Sequence, residues 1–212
     1  MIRRIALSSA LAALSALVLA VSAQAATVIG QTGAPDACSG PGYGGQVQLT
    51  TAGMLSYTVP FDGTITSWSA ATDTSGVQTK LLILQPVSGT TFHVVAKSEF
   101  SSFTSTGVQT FPSQIPVKQG QLIGAFGQLC LIDTGTSGNQ LGSFGGPEPA
   151  TGTDQSFFGG PPGNAADLSA TVEPTPTGQA PVTPAKKKKC KKHKKKHPAE
   201  SAKKKCKKKK KK

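Results

Sequence analysis

Between Thr27 and Val172 no segment carries a helical stripe. Apolar and β-branched residues come instead in short runs, broken every eight to twelve positions by Gly, Pro or Asp. That spacing restricts the chain to β-strands joined by tight turns, the grammar of an antiparallel sandwich or barrel. The runs are Thr27–Ile29, Gln46–Leu49, Met54–Val59, Thr64–Ala70, Val77–Leu84, Thr91–Lys97, Val108–Phe111, Gln121–Phe126, Leu129–Ile132 and Asp167–Val172. Between them stand Phe61-Asp62-Gly63, Asp73-Thr-Ser-Gly76, Ser88-Gly89 and Lys118-Gln119-Gly120, all sequences that favour turns. The 24 Gly and 15 Pro in 212 residues agree with many turns and argue against a helical bundle. The expected fold class is all-β, a single antiparallel β-sandwich over residues 26–173.

The segment before that domain reads as an export signal, residues 1–25. Met1-Ile-Arg-Arg is basic, Ile5–Val21 is an uncharged apolar run, and Ala23-Gln-Ala25 is a small-x-small cleavage pattern that makes Ala26 the first mature residue. The run is short for a membrane span and is interrupted by Ser8, Ser9 and Ser15. No second apolar run of spanning length follows, so no membrane span is expected after cleavage. The expected localisation is secreted or cell-surface associated.

After the domain, residues 174–185 form a Pro/Thr-rich linker with four prolines, a composition that favours an extended spacer. Residues 186–212 then hold eighteen lysines and one acid, Glu200, for a net +17. With almost no apolar side chain to bury and like charges repelling along its length, this tail is expected to be disordered. Residues 27–185 hold only Lys80, Lys97 and Lys118 against nine acids, a net −6. The chain's overall +13 therefore conceals an acidic domain and a cationic end, which excludes a basic globular nucleic-acid-binding domain.

Several domain segments carry a resemblance. Tyr57-Thr-Val-Pro60, Gly63-Thr-Ile-Thr-Ser-Trp68, Lys80-Leu-Leu-Ile-Leu84, Gly120-Gln-Leu-Ile-Gly124 and Ser169-Ala-Thr-Val-Glu-Pro174 together resemble secreted actinobacterial β-sandwich proteins with lysine-rich C-terminal tails. The resemblance implies a jelly-roll-like sandwich and an exported location. It carries over no catalytic residue.

Four cysteines fall into two pairs on either side of the linker. In an exported chain the domain pair, Cys38 and Cys130, is expected to form a disulfide. Closing a loop across 92 positions is worth on the order of 4–5 kcal/mol in the chain-entropy treatment. In the tail, Cys190, His193, His197 and Cys206 offer four ligands that could suit tetrahedral zinc. The surrounding lysines oppose a divalent cation, so a local or intermolecular disulfide is the plainer reading, and no cofactor is expected.

Signals for chemistry are sparse. His93 is the single histidine of the domain, and its place in Thr-Phe-His-Val-Val suits a surface or edge position. No Gly-x-Ser-x-Gly elbow flanks a serine nucleophile. Glu99, Asp133 and Asp154 could supply a glycosidase's carboxylate pair only if the fold set two of them across a cleft. Asp133-Thr-Gly-Thr-Ser-Gly-Asn139 has oxygens at alternate positions but lacks the further acids of a calcium loop. The stretch Asn139 to Gly163 is rich in Gly and Pro and reads as a mobile surface excursion around a short strand, with Phe144, Phe157 and Phe158 as its apolar anchors.

Two functional readings follow. In the first, the protein is an exported, non-enzymatic β-sandwich held on an anionic cell envelope or extracellular matrix by its tail. Lys186, Lys187, Lys188, Lys189 and Lys207, Lys208, Lys209, Lys210, Lys211, Lys212 would meet an anionic cell-wall polymer or acidic polysaccharide, and nucleic acid only non-specifically. In the second, the sandwich is a carbohydrate-binding module whose aromatics stack on sugar faces. Trp68, Tyr43 and Phe157 are the platform residues that reading needs, although a lone mid-strand Trp68 is more often core. An extracellular hydrolase stands third.

Overall fold

The computed structural model describes residues 25–38, 44–53 and 56–175. The residues up to 24, which hold the expected export signal, Tyr43, Met54, the stretch beyond Thr175 and the lysine-rich end, with Cys190, His193, His197 and Cys206, lie outside them. The described residues hold thirteen strands. They are β1 (Thr27–Gln31), β2 (Ala37–Cys38), β3 (Gly44–Thr50), β4 (Gly63–Thr72), β5 (Gln78–Ser88), β6 (Thr91–Lys97) and β7 (Ser101–Ser102). β8 (Gly107–Val117), β9 (Leu122–Gly127), β10 (Cys130–Gly145), β11 (Asp154–Ser156), β12 (Phe158–Ala166) and β13 (Leu168–Pro174) follow.

Every pairing is antiparallel. One sheet has the order β1-β13-β4-β8, and the larger runs β11-β6-β5-β9-β3-β10-β12. Counting β1, β3, β4, β5, β6, β8, β9 and β13 as first to eighth gives the orders 1-8-3-6 and 2-7-4-5. That is the strand order of a jelly roll. The remaining long strands, β10 and β12, lie between the seventh and eighth in sequence and extend the larger sheet beyond β3.

Two cores result. Ile29, Ile65, Trp68, Ala70, Leu168, Ala170 and Val172 of the smaller sheet face Leu81, Ile83, Ile123, Ala125 and Leu141 of the larger. The second core is built from the larger sheet and the residue between β11 and β12: Val47, Leu82, Leu84, Phe92, Val94, Phe126, Phe144 and Phe157. β5 and β9 divide their side chains between the two cores. Leu81 and Ile83 enter the first and Leu82 and Leu84 the second, while Ile123 and Ala125 enter the first and Phe126 the second. Burial on both faces is why these segments are continuous apolar runs, whereas β8, with one half-buried face, alternates.

The stretch Asn139 to Gly163 corrects its sequence reading. Instead of a loop it supplies the end of β10, all of β11 and most of β12. Phe157 is the one residue between β11 and β12. β11 pairs with β6, and β12 pairs with β10. One continuous segment thus covers both flanks of the larger sheet, β6 through β11 and β10 through β12, and brings Phe157 into the second core. At the centre Phe157 meets Phe144 and Phe92 edge to face, with ring centroids at 5.1 and 5.5 Å. Gly45 is required here, because a Cβ at that position would overlap the Phe144 ring.

A second correction concerns Met54–Val59. Its described part makes only an isolated bridge, Thr58 with Leu122, and serves the core through buried Tyr57 and Val59. Residues Cys38 and Cys130 are cross-strand partners of β2 and β10 and form the expected disulfide. Such a bond belongs to an oxidising compartment. No helix among the described residues is long and apolar enough to cross a membrane.

Candidate functional site

The charge layout of the domain is the feature with most bearing on function. All three lysines between residues 27 and 185 are engaged. Lys80 on β5 is 8% exposed, with its ammonium 3.0 Å from Glu148 and 4.3 Å from the centre of the Phe100 ring. Lys97 on β6 donates to the same Glu148 oxygen and, at 2.9 Å, to the carbonyl of Pro149. Its hydrogen bond, followed by that of Lys80, holds the Glu148 carboxyl below the usual carboxylate range against the opposing effect of burial. Lys118 pairs with Asp62 at 2.8 Å, and the Gln119 N–H donates to the other Asp62 oxygen at 2.9 Å. The Lys118 bond first, and that N–H second, hold the Asp62 carboxyl down. Among the described residues no lysine is left without an acidic partner, while Asp36, Asp73, Glu99, Asp133, Asp154, Asp167 and Glu173 have no lysine at all.

Two of the three aromatics proposed as a platform are buried. Trp68 is 1% exposed and packs on Phe111 at 4.7 Å inside the first core, because the register of β4 points it with Ile65 and Ala70 toward the opposite sheet. Phe157, also 1% exposed, fills the closed second core. Neither can stack on a ligand at the surface. Tyr43 lies outside the described residues. The described aromatics that do face solvent are Phe158, which begins the flanking strand β12 and is 75% exposed, and Phe100, 42% exposed.

The polar candidates are dispersed. His93 is half exposed on β6, and its Nδ1 lies 2.7 Å from Asp154 on β11, its cross-strand partner. Two positions along the same pair of strands, the Thr91 and Ser156 hydroxyls meet at 2.9 Å. These contacts fasten β11 to β6. Asp133 is paired with Asn164 on β12, ten residues beyond Asp154 in the chain, and Glu99 follows β6 as an exposed residue. No hydrogen bond or ion pair joins any two of these three carboxylates among the described residues. Asp133 to Asn139 forms an irregular, bulged part of β10 whose oxygens serve the backbone. Asp133 accepts the Gly135 N–H at 2.9 Å, and Asn139 accepts the Ala52 N–H at 2.8 Å. The carboxylate of Asp73 and the sulfurs of Cys38 and Cys130 lie within 4.8 Å of one another, but both sulfurs are taken by the disulfide.

Sequence reasoning missed a group of buried polar residues where the chain passes between the sheets. Gln48 on β3 donates to the carbonyls of Thr50 (2.8 Å) and Asn164 (3.2 Å) and accepts the Ala166 N–H at 2.9 Å. The Tyr57 hydroxyl donates to the Ala166 carbonyl at 2.5 Å. Burial, then the charge of Asp167, pushes that phenol above its ordinary range. Asp167 itself is fully buried. No periodicity or motif marks these positions, since each is a single polar residue within an otherwise ordinary strand or turn.

No protein-family model, curated protein or solved structure matches this chain.

Proposed function

We propose that this protein is an exported, non-enzymatic β-sandwich held on an anionic cell envelope or extracellular matrix by the lysines of residues 186–212. The observation that carries the reading is the consumption of Lys80, Lys97 and Lys118 in ion pairs. An acidic domain with no lysine to spare is weakly repelled by a polyanion, so attachment falls to the tail's +17. Anionic cell-wall polymers and acidic polysaccharides are the partners this charge fits. Nucleic acid would bind by the same unspecific term, and a lipid surface could be touched but not entered, because the tail has no apolar face. The burial of Trp68 and Phe157 weakens the carbohydrate-module reading.

Retention on isolated cell walls, compared for the full chain and a chain lacking Lys186–Lys212, tests this. The full chain should bind and the shortened chain should not. If six to ten charges are engaged, binding should fall by roughly 10³–10⁵ between about 50 and 200 mM salt, by analogy with duplex DNA. Scrambling the tail sequence should change little. Equal retention of both chains, or retention indifferent to salt, would refute the proposal.

A further inference from the structure

Asp167 is the one residue between β12 and β13, at the point where the chain leaves the larger sheet for the smaller. Its N–H donates to the Cys130 carbonyl at 3.1 Å, and its carbonyl accepts the Ala71 N–H of β4 at 3.4 Å. The main chain of this residue therefore touches both sheets. Its carboxyl group meets a third element, the strap between β1 and β2. One oxygen accepts the Gly33 N–H at 3.0 Å. The other, Oδ2, is buried without a hydrogen-bond partner.

The strap is anchored at both ends. β1 is paired along its length with β13, and Cys38 is bonded to Cys130. Between those anchors it is held by the Asp36 N–H on the Leu131 carbonyl (3.1 Å), by the Asp133 N–H on the Asp36 carboxylate (2.8 Å), and by Asp167.

An ionised Asp167 is poorly served in this setting. It receives one N–H, leaves one oxygen bare, and lies in the field of the Asp36 carboxylate. The charge it feels comes from Asp36 on the strap, and the other titratable group coupled to it is Tyr57 from the segment before β4. Tyr57 stays neutral, and Asp133 on β10 reaches Asp36 only through its main-chain N–H. A neutral carboxyl avoids the desolvation and the repulsion and gains a donor. We propose that Asp167 is a proton-operated latch on residues 32–36, holding the strap down when its carboxyl is neutral and loosening it, between its two anchors, when the carboxyl is ionised.

Burial first, with Asp36 adding to it, outweighs the Gly33 hydrogen bond and pushes the Asp167 carboxyl up from 3.8 to about 6. For an acid raised in the docked state, docking is strongest below the free value, weakens as pH climbs from about 4 to about 6, and is level above that. A shift of this size, if undocking released it fully, corresponds to about a 100-fold change in the docking equilibrium, and to less where the opened strap leaves the carboxyl partly buried.

Hydrogen exchange of the full chain, corrected for the intrinsic pH dependence of exchange, reads the latch directly. Protection of the Gly33 and Asp36 amides should fall about 10- to 100-fold between about pH 4 and pH 7, while Ala170 in the middle of β13 does not follow. Asp167→Asn, which keeps an acceptor for Gly33 without the charge, should abolish the pH dependence. Asp36→Asn, which removes the repelling carboxylate, should move the fall to lower pH. Flat Gly33 protection in the native chain would overturn the proposal. So would a parallel fall at Ala170, which would mark a change in global stability, or an unchanged pH profile in Asp167→Asn.

Discussion

The ammonium of Lys80 lies 3.0 Å from the carboxylate of Glu148, 68 positions further along the chain. This contact joins β5 to the segment between β10 and β11, and Lys97 on β6 grips the same oxygen. Removal of the carboxylate would leave two ammonium groups together, one of them almost buried. Glu148→Ala should therefore destabilise the fold by about 1–3 kcal/mol, between the limits for surface and buried pairs. Because Glu148 is held below its ordinary value of 4.5, its contribution is present above that pH and lost as pH falls through the lowered value. Urea unfolding of native and variant chains should show a clear difference at neutral pH that narrows in acid.

The second core should be as sensitive to truncation as the first. Phe144→Ala or Phe157→Ala would remove a ring from a closed cluster and should cost about 3–5 kcal/mol. Both should also expose the segment that flanks the larger sheet. Limited proteolysis is expected to cut first between residues 146 and 158 in these variants, whereas Phe158→Ala, at an exposed position, should leave both stability and cleavage nearly unchanged.

Gln48 should resist replacement by an apolar residue of similar size. In Gln48→Leu the Ala166 N–H loses its acceptor, and the Asn164 carbonyl loses the Gln48 donor. A loss of about 1–3 kcal/mol is expected from thermal or urea unfolding. Gln48→Glu should be worse at neutral pH than in acid, since the carboxylate would be buried beside carbonyl oxygens.

Cys38→Ser with Cys130→Ser should lower stability by about 2–5 kcal/mol. The same changes at Cys190 and Cys206 should leave the melting temperature where it was. Equal effects from the two pairs would mean that the tail cysteines bear on the folding of the domain.

Part of the fold was legible because it is written locally. The run Thr91–Lys97 matches β6 to the residue, and the Gly-bearing turns lie where the chain reverses. The stretch Asn139 to Gly163 was illegible for the opposite reason. Its Gly and Pro residues have low strand propensity, and it becomes strand because β6 and β10 offer it pairing partners on both flanks. Trp68 and Phe157 show the same limit at single side chains. A flanking sequence of small or polar residues says nothing of which face of a sheet a ring will occupy.

Period, count and position along the chain carry the features that could be read locally. The alternation of short runs made the protein all-β, the segregation of cysteines separated a domain pair from a tail pair, and the placement of charge separated an acidic domain from a cationic end. Folding in three dimensions set which strands share a sheet, that one segment flanks the larger sheet on both sides, and that every domain lysine is neutralised. It also buried Asp167 against Gly33 and Gln48 against Ala166, pairs 134 and 118 positions apart. Contacts at such separations leave no local trace, because each half is an unremarkable residue until folding brings the two together and strips the water from both.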